Sequence, residues 1–376
     1  MGCDSLRPSC VLASATEASE GDSRSSFARP QPGVASAAPN SPVTAETNSL
    51  ALHPLQDAQG RIIAYLRLSL TDRCNFRCEY CSVSDYDDPS TVLTRPEIAR
   101  LVGIFARLGV RRVRLTGGEP TLRKDVVGIA ADVRATLGIE EVAITTNGHR
   151  LAELSRPLRD AGVGCVNVSL DTLRPDRLLA ISGRGARLSD ILAGIDAAAA
   201  SGFPHLKLNT VVMGGVNEDE LGDLVRFAWE RGASPRFIEL MPFGKGVPVP
   251  TASVKRLLAE QRIALEPSEK RGWGPAHYMR GRDSAGETRY VGFIGAMTEN
   301  FCDRCNRARV AADGGFQACL GGSAQAPLGA LLRGGAPDEA MEVRIREALA
   351  RKAPRHHMEE AASGLVQLLP MMGIGG

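Results

Sequence analysis

Residues 66–81 read LRLSLTDRCNFRCEYC. A short apolar run leads into a loop where Cys74, Cys78 and Cys81 stand in a C-x3-C-x2-C spacing, with Tyr80 immediately before the last cysteine. Structural zinc sites close a tetrahedron with four protein ligands, whereas this loop holds three cysteines and no histidine. Electron-transfer clusters complete all four positions with cysteine. Three thiolates on one loop can hold three corners of a cubane iron–sulfur cluster and leave one iron without a protein ligand, open for chemistry. Reduced cysteines that merely share a loop are the plain alternative.

From about residue 60 a unit repeats: a β-branched run, a loop, then a helical pattern of ten or more residues. The candidate strands are 64–70, 112–116, 142–145, 165–170, 206–212 and 236–241, with amphipathic stretches such as 95–108, 125–137, 188–201 and 218–231 between them. This alternation implies right-handed crossovers and a parallel sheet. Six units fall short of a closed eight-stranded barrel, so the expected fold is α/β, an incomplete (β/α)6 TIM-type barrel. Active residues in such barrels sit at the carboxyl ends of the strands. Every one of the six strand ends carries fitting residues: the cysteine loop, Gly117-Gly118-Glu119-Pro120, Thr145-Thr146-Asn147-Gly148, Ser169-Leu170-Asp171, Asn209-Thr210 and Glu239-Leu240-Met241-Pro242. One such end is ordinary turn chemistry; six in register point to one site.

Beyond Pro242 the pattern changes. Residues 244–250 form a Gly/Pro-rich connector, 254–261 reads as helix, and 290–297 reads as a strand leading to Cys302-x2-Cys305-x13-Cys319, again without a nearby fourth cysteine or histidine. A zinc knuckle with Cys165 as a distant fourth ligand is the bland reading, but Cys165 falls in an expected buried strand, where a free cysteine behaves as a small apolar residue. The helical pattern resumes after residue 328, with 338–352 as a surface helix, and the chain ends on Gly375-Gly376. The expected organisation is a disordered extension (1–55), a partial barrel (56–243) and a C-terminal cluster-binding domain with the Gly-Gly tail (244–376).

Composition excludes several classes. A net charge of +2 makes no case for a nucleic-acid partner, and no run of about eighteen apolar residues exists to span a membrane. Nine cysteines in 376 residues, six of them in two tight groups, suit metal binding in a reducing compartment rather than a disulfide scaffold. Residues 1–50 are rich in Ser, Ala, Pro, Glu and Thr and read as disordered, with Cys3 and Cys10 incidental. They lack a secretory apolar core, and Asp4, Glu17, Glu20, Asp22 and Glu46 count against an organelle transit sequence. A cytoplasmic extension, or a misassigned start codon, is expected.

Cations are placed unusually. Arg307 and Arg309 flank Ala308 beside the second cysteine group, and Arg67, Arg112, Arg114, Lys207 and Arg236 lie on strands expected to face the same mouth. Barrel interiors normally hold branched apolar side chains, so cations there need a counter-charge. With few carboxylates at matching positions, a bound polyanion such as a triphosphate is the economical partner, since Arg recognises phosphate bidentately.

The cysteine loop resembles that of the radical S-adenosylmethionine (SAM) enzymes, in which the free iron is chelated by the methionine part of SAM. The resemblance implies that Cys74, Cys78 and Cys81 bind the SAM-cleaving 4Fe-4S cluster. It implies also that the backbone of Gly118 approaches the SAM amino group, that the Tyr80 backbone and Met241 meet the adenine, and that Ser169 meets the ribose or methionine part. Matches over 65–376, namely LRLSLTDRCNFRCEYC, VRLTGGEPTLRKD, ITTNG, NVSLDTL, KLNTVVM, RFIELMP, FCDRCNRARV and the terminal Gly-Gly, resemble the GTP 3′,8-cyclases of molybdenum cofactor biosynthesis.

That closer resemblance implies a second 4Fe-4S cluster on Cys302, Cys305 and Cys319, whose open iron meets guanine. Arg67, Arg114, Thr145, Lys207, Arg236, Arg307, Ala308 and Arg309 would contact GTP, and the Gly375-Gly376 tail would insert towards the site and contribute to catalysis. The implied reaction cleaves SAM to a 5′-deoxyadenosyl radical, which takes the 3′ hydrogen of GTP. The sugar radical then closes on C8, towards (8S)-3′,8-cyclo-7,8-dihydroguanosine 5′-triphosphate. Implied partners are an electron donor such as flavodoxin or ferredoxin and a downstream cyclic pyranopterin monophosphate synthase; a homodimer is compatible. Two departures stand out. Val83 replaces a common proline, and Met372 and Gly373 precede the Gly-Gly where Ser or Tyr is usual. A radical SAM peptide-modifying enzyme with an auxiliary cluster, and a non-catalytic metal-binding scaffold, are the alternatives.

Overall fold

In the computed structural model, residues 54–81, 91–183, 185–322 and 325–358 are described. Val83, Met372, Gly373 and the Gly375-Gly376 tail lie outside them, as does the expected disordered extension except for residues 54 and 55. Leu55 is fully buried, donates to the Leu108 carbonyl and accepts from the Ile63 amide, so it is already part of the packed structure.

The apolar run before the cysteine loop becomes β1 (Tyr65–Ser69). β2 (Arg112–Thr116), β3 (Glu141–Thr146), β4 (Val163–Ser169), β5 (His205–Val212) and β6 (Ser234–Glu239) follow, each parallel to its predecessor. Helices between them cover the outer face, including Arg95–Arg107, Val126–Ala135, Leu151–Asp160 and Leu188–Ala200. The first is set locally. Thr94 and Glu97 form a reciprocal capping box, and Ile98, Leu101, Val102 and Phe105 make the buried stripe.

The expected helix over 218–231 opens instead as a 3-10 turn, Glu218–Glu220, before Leu221–Glu230. Glu220 is turned inward there, accepting from the Thr172 hydroxyl and the Leu173 amide.

The strands after residue 243 are β7 (Glu266–Pro267), β8 (His277–Arg282), β9 (Thr288–Ile294), β10 (Arg307–Val310), β11 (Gly315–Gln317) and β12 (Gln325–Pro327). Among the described residues they continue the same sheet, in the order β12-β11-β10-β1-β2-β3-β4-β5-β6-β9-β8-β7. β10 runs parallel to β1 and β9 parallel to β6, so the C-terminal third covers both edges of the six-stranded core. An edge strand left bare would offer unpaired backbone groups.

Alternation along each strand sorts two faces. Leu66, Leu68, Val113, Leu115, Ile144, Val166 and Val168 pack in the apolar core, while Tyr65, Arg67, Arg112, Arg114, Thr145 and Asn167 turn to the opposite face and line a cavity. All five residues of β2 are buried although two are arginines. Parallel strands are normally apolar on both faces; here one face is reserved for a site.

Candidate active site

The cavity has a volume of about 320 Å³, and both cysteine groups stand on its wall. Cys74, Cys78 and Cys81 lie past the carboxyl end of β1. Cys302 and Cys305 precede β10, whose first residue, Arg307, aligns with Tyr65 at the amino end of β1. Cys319 follows β11, which runs antiparallel to β10 and so returns to that same end. The two groups therefore flank one strand pair at opposite ends.

The first group is held by neighbouring loops. Within it, the Cys81 amide donates to the Cys78 carbonyl at 2.9 Å and the Phe76 amide to Cys74 Sγ at 3.4 Å. Arg77 and Glu79 amides donate to the Ser182 and Ile181 carbonyls, and Tyr80 Oη donates to Asp171 Oδ2 at 2.7 Å. The Gly117-Gly118 segment lies directly against this loop: Gly118 N donates to Thr71 O and Glu119 N to Arg73 O, both at 2.7 Å.

A Cβ on Gly118 would stand 2.2 Å from the Arg73 carbonyl oxygen, and one on Gly117, at φ +150°, 2.5 Å from Thr71 O. The resemblance assigned this glycine segment to ligand approach; the cysteine loop's own backbone also demands glycine at both positions. Glu119, 1% exposed, then binds the third strand's loop, accepting from Thr121, Thr146 Oγ1 at 2.7 Å and the Asn147 amide at 2.6 Å.

The cations occupy the span between the two cysteine groups. Register places Arg309, Arg67 and Arg114 side by side on β10, β1 and β2. One layer towards the amino ends, Arg307, Tyr65 and Arg112 align likewise, so the cations lie deeper than the mouth where sequence reasoning gathered them. Lys207 and Arg236 complete seven cationic side chains on the wall. Arg112 has a carboxylate partner, Glu141, at 2.9 Å. The carboxylates on the wall itself are engaged elsewhere: Glu119 as above, Asp171 with Tyr80 and the Val211 amide, Glu239 with the Met297 and Thr298 amides.

Arg114 donates to Tyr65 Oη, to the Ile144 carbonyl at 3.0 Å and to Thr145 Oγ1 at 3.2 Å; Arg236 donates to Asn209 Oδ1. Neutral acceptors orient these guanidiniums without cancelling their charge.

The electrostatics follow. Burial, with the Arg309, Arg114 and Arg307 charges, holds Arg67 well below the usual arginine range despite Tyr65. Burial and Arg307 bring Arg309 down to about 10. Lys207 falls to about 8 through burial and through Arg236, Arg114 and Arg112, with Cys165 opposing. Burial works against ionisation of Tyr65, yet Arg114, Arg112 and Arg67 outweigh it and lower the phenol to about 8. The pocket is short of negative charge.

The thiols differ between groups. Burial pushes Cys74 up to about 11, and Cys78 and Cys81 to about 12. At Cys305 burial is outweighed by Arg307 and Lys352, lowering it to about 6. Cys165 is fully buried and meets Arg114 Nη2 and Asn167 Oδ1, each at 3.6 Å. Among the described residues no three His, Cys, Asp or Glu side chains converge on a point fit for a single metal ion, as a zinc site requires.

Of the residues singled out from sequence, the cavity gathers Tyr80, Gly118, Ser169, Met241, Arg67, Arg114, Thr145, Lys207, Arg236, Arg307, Arg309 and the six cysteines. Among the described residues Ala308 is the exception. It faces the opposite side of β10 in the apolar core, fully buried, which leaves only its backbone for a ligand. Asn209, read from sequence as a strand-end residue, is on the wall too; Tyr65 and Asn167 also stand there and were not singled out, although their alternation with apolar neighbours was visible.

Known proteins are similar to this chain in sequence. The chain is 45% identical over 328 residues to "GTP 3′,8-cyclase 1" of Pseudomonas aeruginosa, covering 85% of this chain and 98% of that one. It is 43% identical over 318 residues to the "GTP 3′,8-cyclase" of Heliobacterium modesticaldum, covering 82% and 96%. The chain belongs to the GTP 3′,8-cyclase family. Consistent with membership of that cyclase family, residues 68–228 match the Radical SAM superfamily and residues 233–358 match Molybdenum Cofactor Synthesis C. In fold it is similar to SuiB of Streptococcus suis, crystallised with S-adenosylmethionine, at a TM-score of 0.51 and 16% identity over 69% of this chain and 60% of that one.

Proposed function

We propose that this chain converts GTP to (8S)-3′,8-cyclo-7,8-dihydroguanosine 5′-triphosphate, the first step of molybdenum cofactor biosynthesis, using two 4Fe-4S clusters and SAM. The observation that carries the reading is the row of cations between two three-cysteine groups in one cavity. The residues fit the clusters: each group offers three unbridged thiols, and both open on the cavity. Cys74, Cys78 and Cys81 would hold one cluster and Cys302, Cys305 and Cys319 the other. With SAM bound, the first supplies one-electron cleavage chemistry able to open a C–H bond.

The protein's own part is placement. Arg67, Arg114, Lys207, Arg236 and Arg309 hold the triphosphate, and Arg307 with the second cysteine group holds the base. Tyr80, Gly118, Ser169 and Met241 hold SAM near the first group, and Thr145 fixes both Arg114 and the nucleotide. The walls exclude water. Gly375 and Gly376 would contribute from the tail.

The division at residue 243 is then one of task rather than of separate folding, since the sheet runs across it. We place the protein in the cytoplasm with a flavodoxin or ferredoxin donor, a downstream cyclic pyranopterin monophosphate synthase and an optional homodimer. No helix among the described residues is long and apolar enough to cross a membrane.

Anaerobic turnover with GTP and SAM tests the reading. The expected product is an isomer of GTP, because the hydrogen taken is replaced by an electron and a proton, formed together with 5′-deoxyadenosine. SAM cleavage indifferent to GTP, with no new nucleotide, refutes it.

A further inference from the structure

Behind the second cysteine group lies a buried ammonium that the cavity does not see. Lys352 follows the helix Asp338–Ala350, is 3% exposed, and is absent from the cavity wall that Cys305 helps to form. Its Nζ reaches Cys305 Sγ at 3.7 Å and donates to the Arg307 carbonyl at 3.0 Å. Asp57 Oδ2 stands 3.8 Å from it, and Asp57 is itself held by Arg61 Nε at 2.7 Å. Arg61 continues the frame, donating to the carbonyls of Cys302 at 2.9 Å, Pro354 at 2.8 Å and Ala353 at 3.0 Å.

A buried lysine is costly without a partner. This one has a carboxylate, but at a distance longer than a hydrogen bond, while its donors go to the cysteine and to the next residue but one. The arrangement is lopsided: the carboxylates Glu119 and Asp171, together with Arg77, act on Cys74 and Cys78 of the first group, whereas the second is backed by a buried ammonium.

We propose that Lys352 is a positioning residue for the second cluster: its ammonium fixes the Cys305 sulfur from behind the cavity wall and stabilises the cluster's more negative, reduced state. Cluster potentials depend on net charge and on hydrogen bonds to the sulfurs. A positive charge donated to one ligand sulfur favours reduction, and Asp57, one step further away, offsets part of it. The inference rests on Cys302, Cys305 and Cys319 binding a cluster.

The test uses the full chain, reconstituted anaerobically, with iron counted and both clusters titrated potentiometrically by electron paramagnetic resonance. A variant with Cys302, Cys305 and Cys319 all replaced by Ala identifies which signal belongs to the second cluster. Lys352→Gln keeps a donor for the Arg307 carbonyl and loses the charge. It is expected to load iron near the wild-type level, to shift the second cluster's potential in the negative direction and to leave the first unchanged; Lys352→Arg should restore it. Asp57→Asn should shift the second cluster the opposite way.

Unchanged potentials in Lys352→Gln overturn the proposal. So does a negative shift in both Lys352→Gln and Asp57→Asn, which would mark a merely structural frame. If Lys352→Gln loads no second cluster, Asp57→Asn decides: a positive shift supports the proposal and no shift overturns it. A wild-type chain that loads only one cluster refutes the ligand assignment instead, and is recognised before any variant is compared.

Discussion

Lys207 gives nucleotide binding a pH dependence that can be worked out from its surroundings. Its ammonium stands on the cavity wall from β5, aligned with Asn167 on β4, and burial together with Arg236, Arg114 and Arg112 lowers its pKa to about 8. A cation with a lowered pKa is charged below that value and loses its proton as pH rises through it, so polyanion binding should hold below pH 8 and weaken above.

With a free-state pKa of about 8 and a fully charged complex, roughly a tenth of the lysine is neutral at pH 7 and roughly nine-tenths at pH 9, a change of about tenfold in affinity. Tyr65, lowered to about 8 by its arginines, ionises over the same interval and adds to the loss, since a phenolate competes for the same cations. Equilibrium binding of GTP to the reconstituted chain, without SAM, reads the effect.

Lys207→Arg stays charged throughout, so its affinity should fall about tenfold less than the wild type's from pH 7 to pH 9. Titration of the nucleotide and of Tyr65 is common to both proteins and cancels. Lys207→Met should bind more weakly with the same shallow slope. Parallel slopes in wild type and Lys207→Arg would refute the reasoning.

Three further outcomes are expected. Gly118→Ala places a methyl 2.2 Å from the Arg73 carbonyl oxygen, and the forced movement should cost about 1–3 kcal/mol in a urea melt and lower the iron bound by the first group; wild-type stability and loading would contradict it. Thr94→Ala removes the capping box of the helix Arg95–Arg107 and should cost about 1 kcal/mol while leaving GTP binding untouched, checked by the same melt and by dialysis. A fragment of residues 56–243 bares β1 and β6 as edges, and it should aggregate or lack a cooperative thermal transition; a monomer with a sharp melt would show that β9 and β10 are dispensable.

Much of the site could be read from the chain because its signals are local. The C-x3-C-x2-C spacing is complete within eight residues, the polar residues at each strand end lie within a few residues of their own strand, and alternation in RVRLT marks Arg112 and Arg114 as sharing a face. What escaped is non-local. Nothing near Tyr65 announces that Arg307 will lie beside it, or that β9 will join β6 at the opposite edge. Lys352 closes a helix that reads as surface, and its burial depends on Asp57 and Cys305, both distant in sequence. The resemblance suggested a ligand contact for Gly118, but not its contact with the Arg73 carbonyl, because the two meet only after the loops fold together.

The pairing of β1 with β10 acts as a ruler. Tyr65 to Ser69 spans four steps of about 3.3 Å, so roughly 13 Å of rigid strand separates the end facing one cysteine group from the end facing the other. That length cannot be adjusted smoothly. Slipping β10 by a single residue would turn Arg307 and Arg309 into the apolar core and bring Ala308 to the wall, so only two-residue steps of about 6.6 Å preserve the face. The loops can vary freely, but the gap into which a substrate must fit is quantised by the strand.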